Sequence, residues 1–445
     1  MMKVKPFEIS RHTVYEAYRQ VRGRKGAWGV DRMSLEDFDK DCTKYLYRIW
    51  NQMSSGSYMA PAVKLVEIPK KGGGVRPLGI PTICDRIAQT VVKMHIEDSF
   101  EKIFHEDSYG YRPNRTALDA VAKAKERCWK QDWVIDLDIK GFFDNIPHDL
   151  LMKAVRKHCR EKWVLLYIER WLVASLEKEN GEIMARIKGV PQGSVVGPIL
   201  SNLYLHYCMD LWLERNYPEC KFERYADDAI IHCPSEYKAK EVRERLEVRM
   251  QECGLELHPE KTKIVYCKDS NRKRTAEHNI QFDFLGYTFM PRMAQNSKRK
   301  EWFTNWLPAV SKKAMNSMNE KMGSWSILRI TSCTLTDIAK AINPIVRGWI
   351  NYYGKFYRSK LKDFMHTLNV KLAKWARRKY KNLRVSDNKA LNWLYKVSQE
   401  SPDLFPHWTI GAIPSNGINN KSRMTGDCHV RFRENLGAAM PGFTR

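Results

Sequence analysis

Between residues 63 and 289, short β-branched and aromatic runs alternate with stretches of helical periodicity, which predicts a mixed α and β domain. Strands are expected at 64–68, at 133–137, at 222–225 paired with 229–232, and at 282–289. Residues 1 to about 60 read instead as helices joined by the loop Lys25-Gly26-Ala27-Trp28-Gly29-Val30-Asp31, with Asp31 placed to cap the next helix. From 296 to 385 the apolar positions fall on a helical stripe, as in Ile342, Ile345, Val346, Trp349, Ile350 and Tyr353, and predict a helical bundle. Beyond Ser386 a further helix gives way, after Ile410, to a polar stretch rich in Gly, Pro and Asn. This pattern divides the chain into four segments: 1–60, 61–295, 296–385 and 386–445.

Charge sharpens the picture. The chain carries 76 Lys and Arg against 51 acids, a formal charge of +25 that favours a polyanionic partner. Segment 296–385 alone holds twenty basic residues against four acids, together with twelve aromatics. A basic face for acidic lipid would need a long apolar stripe beside the basic cluster, and none is present. The start lacks the apolar core of a secretory signal, and no run of eighteen apolar residues occurs, so a soluble, intracellular protein without a membrane partner is expected. Eleven cysteines are scattered singly with no Cys-x-x-Cys pair, which suggests reduced core thiols rather than a disulfide framework or a zinc ribbon.

The sharpest local signal is Arg224-Tyr225-Ala226-Asp227-Asp228-Ala229-Ile230-Ile231, two acids between runs that both favour strand. Adjacent carboxylates repel each other, a cost that divalent cations would relieve; the alternative is a turn that uses Asp because turns favour it. A second source of acids is Trp133-Val134-Ile135-Asp136-Leu137-Asp138-Ile139-Lys140-Gly141-Phe142-Phe143-Asp144. Strand alternation puts Asp136 and Asp138 on one face, and phosphoryl transfer by paired metals needs carboxylates from separate backbone segments.

Tyr-Ala-Asp-Asp after a strand, with an earlier Asp followed five residues later by an aromatic, resembles the palm of reverse transcriptases. That spacing selects Asp138, since Phe143 lies five beyond it. The resemblance implies that Asp138 and Asp227 bridge Mg2+ or Mn2+ with Asp228 assisting, and that the metal set includes the Ile139 position. It also implies that Phe143 crowds a ribose 2′-hydroxyl, so that deoxynucleoside triphosphates are the substrates; the bland reading of Phe143 is a core aromatic. Asp136 and Asp144 read as structural hydrogen-bond partners.

Further motifs occur in the order of that family. Ile68-Pro69-Lys70-Lys71-Gly72-Gly73-Gly74-Val75-Arg76-Pro77 reads as a β-hairpin with a glycine tip; it resembles the fingers motif, which makes Lys70 and Arg76 candidate phosphate ligands. In Tyr109-Gly110-Tyr111-Arg112-Pro113-Asn114-Arg115-Thr116, Thr116 could cap a helix, and Arg112 and Arg115 are candidates for template backbone or for a structural ion pair. The stretch Gly189-Val190-Pro191-Gln192-Gly193-Ser194-Val195-Val196-Gly197 places small residues for close approach to a base pair, with Gln192 as a nucleotide contact; it departs from the family pattern at Ser194 to Gly197. Lys261, in Leu257-His258-Pro259-Glu260-Lys261, matches the lysine beside the departing pyrophosphate. Phe284-Leu285-Gly286-Tyr287 resembles the primer grip, although its aromatics suit a core equally well.

Within the reverse transcriptases, the chain resembles the group II intron-encoded reverse transcriptase/maturase family over residues 20–385. The Lys25 to Asp31 loop resembles that family's N-terminal extension, and Asn343-Pro344-Ile345-Val346-Arg347-Gly348-Trp349-Ile350-Asn351-Tyr352-Tyr353 resembles its maturase-specific thumb helices. The implied fold is α+β, a right-hand polymerase whose fingers and palm (61–295) carry antiparallel sheet, after an N-terminal extension (1–60) and before a basic helical thumb or maturase domain (296–385). Residues 386–445 would be a short C-terminal segment, a reduced DNA-binding region without the family's cysteine- and histidine-built endonuclease; His407, Cys428 and His429 fit no zinc pattern. Arg347, Lys355, Arg358, Lys374, Arg377 and Arg378 are the expected RNA contacts. The implied partners are group II intron RNA, an RNA template with DNA primer, and target DNA, for a monomer or homodimer. The implied activity assists splicing and copies RNA into DNA during retrohoming, in bacterial cytoplasm with nucleoid association on DNA, an organellar origin remaining open. The rival readings are a host DNA repair or defence role, a splicing-only maturase, and an RNA-dependent RNA polymerase, against which Phe143 argues.

Overall fold

The computed structural model describes residues 5–69, 74–269, 272, 278–295 and 302–414. The chain begins with three helices: α1 (Arg11–Arg24), α2 (Leu35–Lys40) and α3 (Cys42–Ser55). Ser10 and Ser34 cap the first two by accepting backbone N–H groups. Asp31 accepts instead from the amide of Met33 at 3.3 Å, so it shapes the approach to α2 rather than capping it.

Next come β1 (Val63–Pro69) and β2 (Val75–Ile80), antiparallel with Ile68 opposite Arg76, then α4 (Ile83–Glu101) and α5 (Ala117–Lys130). Lys70 lies outside the described residues. Thr116 and Asp119 form a reciprocal capping box that starts α5. Strand β3 (Trp133–Leu137) leads into α6 (Phe142–Asn145), α7 (His148–His158) and α8 (Lys162–Val173). Two short strands, β4 (Leu176–Glu177) and β5 (Ile183–Met184), join the first hairpin in the order β2-β1-β4-β5.

Helix α9 (Gly197–Leu205) passes through a π-helical stretch, His206–Asp210, into α10 (Leu211–Asn216). The hairpin of β6 (Lys221–Tyr225) and β7 (Asp228–Cys233) comes after it, then α11 (Glu236–Glu252), β8 (Lys263–Tyr266) and β9 (Phe282–Phe284). Strands β6, β7, β3 and β8 form one sheet in the order β6-β7-β3-β8, with β3 antiparallel to both neighbours. Its inner positions, among them Val134, Ile135, Ile230 and Ile231, are fully buried beneath α5 and α11, which accounts for their β-branched character.

Strands β10 (Tyr287–Gln295) and β11 (Trp302–Val310) precede a helical region: α12 (Lys312–Gly323), α13 (Leu335–Tyr353), α14 (Arg358–Lys379), α15 (Asp387–Glu400) and α16 (Pro406–Thr409). Two expectations are corrected here. The strand expected over 282–289 is broken at Leu285 and Gly286, both at positive φ (50° and 80°), and the expected all-helical stretch from 296 contains β11. Pattern hid β11 because Trp302-Phe303-Thr304-Asn305-Trp306 is compatible with either period.

The chain divides into two compact units, one running to Phe284 and taking in β11 as far as Trp306, the other comprising 285–294 and the chain from Leu307. In the second unit, Ile342 and Val346 of α13 are buried with Leu361, Leu368, Leu372 and Trp375 of α14, so the expected stripe is a core face. Arg347, Lys355, Arg358, Lys374 and Arg378 are exposed on the remaining faces. No described helix is long and apolar enough to cross a membrane. The ten cysteines among the described residues are free thiols.

Candidate active site

The site is built where β3 ends and the β6–β7 hairpin turns. Register pairs Leu137 with Ala229, so the next position along β3, Asp138, comes opposite Asp228, beside the turn residues Ala226 and Asp227. Two segments remote in sequence thus bring three carboxylates to one edge of the sheet. Their electrostatics record the crowding. Burial pushes the Asp227 carboxyl up, the charge of Asp138 adds to this, and Arg76 and Arg224 pull it back. Burial also pushes Asp136 up to about 7, helped by the charges of Asp228, Asp283 and Asp138 and opposed by Lys263.

The loop from Gly254 to Lys263 holds Asp138 from the other side. The amide of His258 donates to the Asp138 carbonyl at 2.8 Å, and Lys261 Nζ reaches Asp138 Oδ2 at 3.0 Å. Ile139 is buried and bridges to Leu257, which fixes the backbone immediately after Asp138.

Arg76 and Gln192 meet: Nε of Arg76 donates to Oε1 of Gln192 at 2.5 Å. Behind them the amide of Gly79 donates to the Gln192 carbonyl at 2.6 Å, joining β2 to the Pro191-Gln192-Gly193 turn. A Cβ at Gly193 would stand 2.2 Å from the Gly79 carbonyl oxygen, with φ at +113°. Glycine there serves this close approach within the protein. Tyr111 is exposed and feels both Asp227, which raises its pKa after burial, and Arg76, which lowers it. Arg76, Tyr111 and Asp227 therefore share one electrostatic environment.

Other expected residues lie elsewhere. Arg112 is buried; its guanidinium pairs with Glu101 at 2.6 Å and donates to the carbonyls of His105 and Ser108, so the structural ion pair is the observed one. Arg115 is exposed, 5.8 Å above the Tyr109 ring. Phe143 is largely buried, edge-on to Phe142 with ring centroids 5.1 Å apart. Phe284 and Tyr287 are fully buried, and Gly286 lies where a Cβ would approach the Tyr353 ring at 3.2 Å. Arg377 pairs with Asp387, and Arg378 donates to the Leu328 carbonyl at 2.7 Å. His407 is buried against Oδ1 of Asn369 at 2.7 Å, a core role that removes it from any metal site; Cys428 and His429 lie outside the described residues.

Sequence reading missed Arg224, Asp210 and Asn202, a buried polar group behind the turn. The available signal was Asn202, beside Ser201, in the mainly apolar run from Ile199 to Leu205, because a polar residue in a buried helix must find partners.

Carboxylate oxygens from Asp138, Asp227 and Asp228 are hard donors that suit Mg2+ or Mn2+. Among the described residues, no three His, Cys, Asp or Glu side chains already stand as a gathered metal cluster. The donor chemistry fits the ions, and Lys261 occupies one Asp138 oxygen that they would take.

Comparison with known proteins agrees with this geometry. Residues 68–289 match the family model for reverse transcriptase (RNA-dependent DNA polymerase), and residues 315–393 match the group II intron maturase-specific domain. The chain belongs to the group II intron-encoded reverse transcriptase/maturase family. It is similar to protein YkfC of Escherichia coli, 31% identical over 63% of this chain and 81% of that one. It is also similar to the group II intron-encoded protein LtrA of Lactococcus lactis, 29% identical over 58% of this chain and 42% of that one. A putative COX1/OXI3 intron 1 protein of Saccharomyces cerevisiae is 30% identical over 44% of this chain and 24% of its own length. The chain thus aligns with less than half the length of the latter two relatives.

Proposed function

We propose that the chain is an RNA-directed DNA polymerase of group II intron type, which binds intron RNA, assists its splicing and copies RNA into DNA. The observation that carries this reading is the convergence of Asp138 with Asp227 and Asp228 at the end of one sheet, with Arg76 and Gln192 joined and Arg76 within electrostatic reach of Asp227. Asp138 and Asp227, with Asp228, would hold Mg2+ or Mn2+. Bound there, divalent ions supply activation of the primer 3′-hydroxyl and neutralisation of charge on the transferring phosphate.

The chain's own residues do the rest. Arg76 engages the triphosphate of the incoming deoxynucleotide, where a guanidinium offers paired donors to phosphate oxygens. Gln192 orients that guanidinium through their mutual hydrogen bond. Lys261, released from Asp138, would give a proton to the departing pyrophosphate. The exposed cations Arg347, Lys355, Arg358 and Lys374 provide a basic helical surface for RNA. Arg115 is the candidate for template backbone, in place of Arg112.

Primer extension on an RNA template with deoxynucleotides and Mg2+ tests the reading. Full-length chain should extend the primer, whereas Asp227→Ala should lose extension and keep its affinity for RNA. Extension by that variant at the unsubstituted rate would refute the site.

A further inference from the structure

Behind the metal-binding turn lies a polar group with no expected role. Arg224, the residue before Tyr225 on β6, is fully buried. Its Nε donates to Oδ1 of Asp210 at 2.8 Å and its Nη2 to Oδ2 at 2.6 Å, a paired fork. Its Nη1 donates both to Oδ1 of Asn202 at 3.0 Å and to the carbonyl of Ala226 at 3.1 Å. Asn202 in turn donates through Nδ2 to the Gly110 carbonyl at 2.6 Å.

Three features bear on what this group does. Ala226 is a non-glycine residue at φ +60°, a conformation that persists only where its surroundings enforce it. Asp210 closes the π-helical stretch His206–Asp210, and a π turn takes one more residue than an α turn. Without that extra residue the Asp210 side chain would be rotated by roughly 100° about the helix, away from Arg224. Lastly, the chain at 107–110 is stitched to β6: the Arg224 amide donates to the Asp107 carbonyl at 2.9 Å and the Tyr109 amide to the Arg224 carbonyl at 2.7 Å. A Cβ at Gly110 would sit 2.4 Å from the Ala226 nitrogen, so loop and turn are in direct backbone contact. A buried ion pair is poor evidence of stability, since apolar residues of similar volume often serve as well. The directional bond to the Ala226 carbonyl is what apolar replacements cannot supply.

We propose that Arg224, held by Asp210 and Asn202, is a positioning residue that fixes the Ala226-Asp227 turn for divalent-cation binding and ties it to the Tyr109–Arg112 loop. This rests on the reading of Asp227 as a metal ligand. Two variants of the full-length chain test it: Asn202→Ala, which leaves the ion pair intact, and the double variant Arg224→Met/Asp210→Leu, which removes both charges together. Three readouts are needed: amide hydrogen exchange over 226–228, Mn2+ affinity by the ion's paramagnetic resonance signal, and primer-extension kcat against KM for template.

For both variants, exchange over the turn is expected to rise at least tenfold, Mn2+ affinity to fall at least tenfold, and kcat to fall similarly with template KM unchanged. Folded Asn202→Ala protein with unsubstituted exchange and Mn2+ affinity would overturn the proposal, whether or not the double variant folds. Asp227→Asn separates the two readings: if it leaves Mn2+ binding untouched, the metal assignment fails, while exchange over the turn still reports on Arg224.

Discussion

Lys261 Nζ lies 3.0 Å from Oδ2 of Asp138, so a lysine from the loop before β8 occupies the carboxylate that β3 presents to the site. Both side chains are partly exposed, and an ion pair in that setting contributes only ~0–1 kcal/mol to stability. Its consequence is therefore for function: under the proposed metal site, ammonium and divalent cation would compete for one oxygen. Lys261→Ala should bind Mn2+ more tightly, yet copy RNA more slowly by about a hundredfold if the lysine also serves as general acid. Calorimetric titration with Mn2+ and single-turnover extension check the two halves. An unchanged Mn2+ affinity would show that the pair does not compete.

Phe143 is buried against Phe142 at the start of α6, a position compatible with gating the sugar and with filling the core. Phe143→Ala should lower discrimination between deoxy- and ribonucleotides at least tenfold, beside a stability loss of about 3–5 kcal/mol. Competitive incorporation assays measure the first and urea denaturation the second. A stability loss with unchanged discrimination would assign Phe143 to packing alone.

Arg112 has its guanidinium committed to Glu101 and two backbone carbonyls. Arg112→Ala leaves Glu101 and those carbonyls without their donor and should cost on the order of 3–5 kcal/mol. Template KM, measured per folded molecule, should not move. A selective rise in template KM at unchanged stability would return Arg112 to the template surface.

Asp85 is fully buried and accepts from Trp171 Nε1 at 2.7 Å, Gln89 Nε2 at 2.9 Å and Tyr58 OH at 3.0 Å. Burial pushes its carboxyl up to about 6 despite these donors. The folded state therefore holds this proton more tightly than the unfolded chain. The resulting stability is full below about pH 4, the unfolded value, and is lost as pH rises through about 6. Urea denaturation between pH 4 and 7 should show a decline to which this group contributes on the order of 1–3 kcal/mol, smaller by that amount in Asp85→Asn, where the raised Asp136 still contributes its own. The same decline in Asp85→Asn would assign the pH dependence to other groups.

Much of the candidate site was legible because each of its two carboxylate segments is a short local motif, although the two lie far apart in sequence. The expected strand at 133–137 is β3, and the tight hairpin around Tyr225-Ala226-Asp227-Asp228 differs from expectation by a residue at its ends. What alternation could show was a shared face for Asp136 and Asp138; their different surroundings come from tertiary packing, which pushes Asp136 up to about 7 and leaves Asp138 in contact with Lys261. Arg112 and Arg115 look alike in sequence, yet one is buried on Glu101 and the other exposed, because only the fold decides which arginine meets an acid. The Arg224, Asp210 and Asn202 group depends on a π turn, which has no hydrophobic period to betray it. β11 was hidden by a basic, aromatic-rich neighbourhood that otherwise reads as helix.

Anomalous scattering from Mn2+ in crystals of the full-length chain with an RNA template, a DNA primer and a non-hydrolysable deoxynucleotide bears most directly on the polymerase reading. Two peaks about 4 Å apart, within bonding distance of both Asp138 and Asp227, are expected, with Lys261 moved off Asp138. Peaks that touch neither carboxylate, or a complex that forms fully with Lys261 still on Asp138 and no metal present, would contradict it.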